Sequence, residues 1–82
     1  MESSDEKLAN IFIASLQLKS GVFHSGLEYN TIPEWDSTGH MALIVGIEAG
    51  FEVMLDMDEI IDMSSVAAAK TILVKHGVVF DQ

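Results

Sequence analysis

No cysteine occurs anywhere in the 82 residues, and that absence constrains the fold more than any residue present. A chain this short buries only about 60–65% of the surface its unfolded form exposes, so stability is modest unless something staples it. Without cysteine, neither a disulfide framework nor a thiolate metal site does so. What is left is one compact hydrophobic core, and a hydrophobic share of 49% is enough to build it. No run approaches the roughly 18 apolar residues that would span a bilayer. The start, Met1-Glu2-Ser3-Ser4-Asp5-Glu6, is acidic and polar and lacks the basic and then apolar pattern of a secretion signal. The expectation is a soluble, cytoplasmic domain: residues 1–5 as a flexible acidic N-terminus, 6–78 as the folded unit, and 79–82 as a C-terminal tail.

Charge narrows the partners. Thirteen acids face four lysines, for a formal net charge of −9. Such a surface repels phosphate backbones and anionic headgroups, so nucleic-acid and membrane-surface roles are disfavoured. Between Lys19 and Lys70 there is no lysine or arginine, while Glu28, Glu34, Asp36, Glu48, Glu52, Asp56, Asp58, Glu59 and Asp62 all fall there. A one-sign middle of this kind suits docking against basic patches on other proteins.

Helical periodicity recurs four times, and no strand pattern competes with it. Over residues 6–18, Leu8, Ile11, Phe12 and Leu16 repeat at helical spacing, with Asp5 and Glu6 at the positive end of the dipole and Gly21 as the expected stop. Residues 20–35 read as a long connection, with Val22, Phe23, Leu27, Tyr29 and Ile32 pinning it across the helices. Pro33 keeps Ile32 out of helical geometry, so the next helix starts beyond it. That helix spans 37 to 50 or 51, capped by Asp36 or Ser37, with Trp35 stapling its lead-in. Met41, Ile44, Val45, Ile47, Glu48 and Phe51 lie near one side of it, and Leu43 falls on another. Gly39 and Gly46 each weaken a helix by about 1 kcal/mol relative to alanine, so close approach by another group is expected there. A short turn of helix over 58–61 and a last helix from Ser64 or Ser65 to His76, stopped by Gly77, complete the count. The fold class is therefore all-α: a small bundle of three main helices plus one short helix, with a long loop after the first.

Ser37 sits between Asp36 and Thr38 at the start of an amphipathic helix, just after a proline-marked turn. A helix start offers unpaired N–H groups and a positive dipole end, so a phosphate ester is well placed there. A plain N-cap role for Ser37 or Asp36 is the competing reading. The wider pattern weighs against that plain role. Asp36-Ser37-Thr38-Gly39-His40-Met41, then Ile44, Ile47, Glu48 and Phe51, then Glu52-Val53-Met54-Leu55-Asp56, Ile60 and Met63-Ser64-Ser65-Val66, resembles the acyl carrier protein family over roughly residues 30–75.

The resemblance implies that Ser37 is esterified by 4′-phosphopantetheine taken from coenzyme A, with Asp36 and Thr38 flanking the attachment. An acyl group would then ride as a thioester on the cofactor's own sulfur, consistent with a chain that has no cysteine. It also implies that the chain is not itself an enzyme. Expected partners are a phosphopantetheinyl transferase, an acyl ligase or acyltransferase, and condensing or transferring enzymes with basic patches, all serving a monomeric carrier. Ala42, Val45, Glu48, Ala49 and Asp56 are the expected docking positions, although core packing is equally open for Val45. Ala42, Ala49 and Gly50 stand where fatty-acid synthesis carriers frequently hold acids, and Thr38 where leucine is usual. The resemblance is thus to a dedicated carrier for a specialised pathway, with polyketide, aminoacyl and lipid-modifying routes all open. An unprimed acidic interaction module on the same bundle is the alternative.

Other constellations do not assemble. His24, His40 and His76 lack the spacing of a helical metal site and read as surface or loop residues, His40 being one turn from Ser37. Asp56, Asp58 and Asp62 begin like a calcium loop, but Ile60 and Ile61 fill positions that need oxygen ligands and glycine. The five methionines read as core filling by default.

Overall fold

Each helix begins where a short polar side chain satisfies the first amides. In the computed structural model, which describes residues 3–80, α1 spans Ser4–Leu16, α2 Ser37–Phe51, α3 Met57–Asp62 and α4 Val66–Lys75. Ser3 accepts from the Glu6 amide while the Glu6 carboxylate accepts from the Ser3 amide, a reciprocal pair that satisfies two orphan donors. Asp56 and Glu59 repeat that arrangement at α3. Asp36 caps α2 and Ser65 caps α4. Among the described residues there is no strand, only one antiparallel bridge between Glu28 and Ser65. No described helix is long and apolar enough to cross a membrane.

Two boundaries differ from expectation at α1. Residues 3–5, expected as a flexible lead, instead cap and open the helix, and Asp5 pairs with Lys70 of α4 at 2.6 Å. Met1 and Glu2 lie outside the described residues. The helix also stops earlier than Gly21. Gln17 turns left-handed at φ 55, and the Leu18 amide reaches back to the Ile13 carbonyl. Leu18 is thereby released from the helix and buried in the core. At the other end the expected tail is partly enlisted: Phe80 tilts against Phe51 with centroids 6.3 Å apart. Asp81 and Gln82 lie outside the described residues.

The core gathers Leu8, Phe12 and Leu16 of α1, Leu43, Ile44 and Ile47 of α2, and Val66, Ala69, Ile72 and Leu73 of α4, closed by Trp35 and Met63. Full burial of an aliphatic side chain is worth about 1.5–3 kcal/mol, so this cluster is the main force for folding. α1 and α2 form the tightest pair because glycine lines the seam. A Cβ on Gly46 would lie 2.5 Å from Ser15 Oγ, and one on Gly50 2.5 Å from Ile11 Cδ1. A Cβ on Gly39 would run into the Glu34 carbonyl oxygen. All three glycines share one face of α2.

The side of α2 that faces inward corrects the sequence reading. Leu43 is fully buried, whereas Met41 and Val45 are exposed by 54% and 63%. α2 is apolar around most of its circumference, so the glycine seam decides the rotation rather than the hydrophobic stripe. Core filling likewise fails for most methionines. Met63 is buried, but Met41, Met54 and Met57 face solvent.

The long loop is pinned by backbone as well as by side chains. Tyr29 donates its amide to Ser64 at 2.8 Å, and Val66 donates to Leu27 at 3.0 Å. These bonds hold the 27–29 segment against the turn between α3 and α4. Leu27 is buried there, with Val22, Phe23 and Ile32 packed on the core's edge.

Candidate functional site

Ser37 occupies the first position of α2 and is exposed. The choice between two caps is resolved by geometry: Asp36 Oδ1 accepts from the Gly39 amide at 2.8 Å. The Asp36 carbonyl accepts from the His40 amide at 2.8 Å. The Ser37 hydroxyl is therefore not the capping oxygen, and the Ser37 and Thr38 amides are the other donors of the first turn. Glycine at 39 is required for this placement, because the preceding loop passes directly over that backbone. The two flanking side chains, Asp36 and Thr38, are also exposed.

Beneath this surface lies an aromatic brace. Trp35 is fully buried and meets the Phe12 ring edge-on at 5.2 Å. Its role is larger than stapling a first turn, because its indole N–H donates to His40 Nδ1 at 2.9 Å. His40 Nε2 lies 2.8 Å from the Ile60 carbonyl oxygen. An indole nitrogen only donates and a carbonyl only accepts, so Nδ1 is the bare nitrogen and Nε2 carries the proton. His40 is thus a neutral, half-buried tie between α2 and α3 rather than a surface residue. With both ring nitrogens engaged, it has none to share with Ser37, which argues against a nucleophile pair. No buried side-chain nitrogen or oxygen among the described residues lacks a partner.

Next to His40 opens a cavity of about 230 Å³ lined by Tyr29, His40, Ile60, Ile61, Met63 and Ser64. Met63 forms its buried floor, the half-buried His40 and Ile60 its walls, and the exposed Tyr29, Ile61 and Ser64 its rim. Tyr29 meets the His40 ring edge-on at 5.5 Å. The family resemblance implied a shallow apolar shelter between helices, but sequence reasoning did not identify the residues that line this cavity. Its lining comes from positions up to 35 residues apart, and only the fold joins them.

The expected docking positions separate into two groups. Ala42, Val45 and Ala49 are exposed on one face of α2, beside Met41, so core packing does not account for Val45. Glu48 and Asp56 also have structural duties. Glu48 Oε2 accepts from the Leu55 amide at 3.0 Å and fixes the link between α2 and α3. Asp56 caps α3 through the Glu59 amide at 2.8 Å. Asp56 remains exposed, whereas Glu48 is half-buried.

α3 has a second histidine tie. His76 Nε2 lies 3.0 Å from both carboxylate oxygens of Glu59. The hydrogen bond from His76, aided by the Asp56 amide, holds the Glu59 carboxyl below its ordinary value. His24 stays in the loop and accepts from the Gly26 amide at 3.2 Å. Among the described residues, no three His, Cys, Asp or Glu side chains gather as a metal site. Searches of protein-family models, curated proteins and solved structures each return no match to this chain.

Proposed function

We propose that this chain is an acyl carrier whose Ser37 hydroxyl takes a 4′-phosphopantetheine arm from coenzyme A. The observation that carries this reading is the exposed Ser37 at the first turn of α2, with capping assigned to Asp36. Its oxygen attacks the pyrophosphate of coenzyme A; the new Oγ–P bond replaces the bond to the nucleotide, which leaves, and the hydroxyl proton passes to a base on the transferase. The resulting phosphodiester sits at the positive end of α2, near the Ser37 and Thr38 amides. The arm supplies the thiol that this cysteine-free chain lacks. The chain itself contributes the tether point, a shelter for the cargo beside His40, and a face for partners.

That face is Ala42, Val45 and Ala49 with Met41, and the acidic Asp56 lies toward α3. A priming transferase, a loading ligase or acyltransferase, and a condensing or transferring enzyme would meet it with an apolar centre and a basic rim. The small, apolar character of this ridge fits a specialised pathway, with acyl and aminoacyl cargoes both compatible with the attachment.

Incubation with coenzyme A and phosphopantetheinyl transferases, followed by intact mass, tests the proposal. The expected result is a gain of one phosphopantetheine that disappears in Ser37→Ala, with the helical circular dichroism unchanged. A gain that persists in Ser37→Ala, or no gain with several transferases, overturns it. Salt-sensitive partner binding independent of the Ser37 hydroxyl would then favour an unprimed interaction module.

A further inference from the structure

Resting on the carrier reading, we infer that His40 is a positioning residue for the attachment at Ser37, and that it acts through the Trp35 indole rather than through α3. Trp35 and His40 stand just outside residues 36–39, and the indole N–H donates across them to His40 Nδ1 at 2.9 Å. That bond closes the segment into a ring. Inside the ring, Asp36 Oδ1 accepts from the Gly39 amide and the Asp36 carbonyl from the His40 amide, both at 2.8 Å. Ser37 is exposed on this ring.

A helix start holds itself poorly, because its first N–H groups find no partner within the helix. Trp35 supplies the fixed point that this turn lacks. Its indole is fully buried, edge-on to Phe12 at 5.2 Å and to Tyr29 at 6.2 Å. Its backbone is held as well: the carbonyl accepts from the Asn30 amide at 2.9 Å, and the amide donates to Ile32 at 3.2 Å. Through Nδ1, His40 passes this rigidity to the turn that presents the hydroxyl. Phosphoryl transfer needs the attacking oxygen in line with the bond that breaks, and a misplacement of about 1 Å costs about a hundredfold in rate. The other ring nitrogen serves a different end. Nε2 donates to the Ile60 carbonyl at 2.8 Å and so holds α3.

Two substitutions separate the ties. In His40→Asn the amide oxygen stands in for Nδ1 and accepts from Trp35, but nothing reaches Ile60. In His40→Gln the longer side chain places its NH2 in the role of Nε2, so the bond to Ile60 survives and the one from Trp35 is lost. Priming of the full chain is followed by intact mass, with saturating coenzyme A and a transferase that accepts the parent. His40→Asn should keep kcat within about threefold of the parent and His40→Gln should lose about tenfold, with KM unchanged in both because the docking face is untouched. Trp35→Phe removes the donor, keeps a buried ring, and should match His40→Gln; it serves where either histidine variant unfolds. Hydrogen exchange, which needs no transferase, should quicken at Gly39 in His40→Gln and Trp35→Phe, and at Ile60 and Ile61 in His40→Asn alone. Equal kcat in His40→Asn and His40→Gln, a change confined to KM, or Trp35→Phe primed at the parent rate overturns the inference. A parent that no transferase primes is a failure of the carrier reading, whereas Gly39 exchange that is the same in every variant sinks this inference alone.

Discussion

The seam between α1 and α2 and the corner where α3 meets the long loop are built on different physics. In the seam, Gly46 and Gly50 bring backbone against Ile11 and Ser15, and Gly39 lies under the Glu34 carbonyl. The seam is set by how closely these groups fit rather than by polar ties between the two helices. At the corner, α3 contributes no buried residue and is tied by two histidines, His40 to the Ile60 carbonyl and His76 to Glu59. The contrast teaches where this small domain can afford change. A shape-matched seam has no spare space, whereas an element held by a few polar ties can border a cavity and still keep its place.

The seam yields the largest expected effect. Gly39→Ala gains about 1 kcal/mol of helix propensity but drives a methyl into backbone, an overpacking cost of about 3 kcal/mol or more. The net loss expected from urea unfolding is about 2 kcal/mol. Gly50→Ala meets only the flexible end of Ile11 and should stay within about 1 kcal/mol of the parent. Equal stability of the two variants would erase the distinction between backbone and side-chain contact.

At the corner, His40→Ala leaves the buried Trp35 N–H and the Ile60 carbonyl without their partner. An unsatisfied buried group costs about 1–3 kcal/mol, and α3 should loosen at the same time. Urea unfolding reads the first effect. Hydrogen exchange at Ile60 and Ile61 reads the second, and unchanged protection there would show that α3 is held by something else.

The smallest effect concerns acid. Glu59 titrates below its ordinary value of 4.5, chiefly because His76 hydrogen-bonds the charged carboxylate. A carboxyl depressed in the folded state contributes stability that is present above its unfolded value and lost as pH falls through its folded one. The acid limb of the stability curve, below about pH 4.5, should therefore be shallower in His76→Ala than in the parent. Parallel acid limbs would remove Glu59–His76 from the account of how α3 is held.

Much of the fold was legible locally. Asp36 and Ser65 were among the expected caps and do cap their helices within three residues, whereas Ser3, expected in a flexible lead, and Asp56, expected outside the short turn, cap theirs as well. The candidate site was legible in part. Ser37 could be picked out beside Asp36, and Ala42 and Ala49 are exposed as a docking face requires. Glu48 has a duty that the sequence does not display, because its carboxylate accepts from the Leu55 amide seven residues on. Gln17 misled, since nothing in the residue announces a left-handed cap four positions before Gly21.

By itself, the amino-acid sequence determined four helices, a pinned loop and one serine at a helix start, because caps, breakers and periodicity act over a few residues. Only the tertiary structure decided which side of α2 is buried, since an almost wholly apolar helix takes its rotation from the surface that its glycines meet. It also decided what the histidines do. His40 and Ile60 are 20 positions apart and His76 and Glu59 are 17, and a hydrogen bond exists only once packing has brought donor and acceptor within reach.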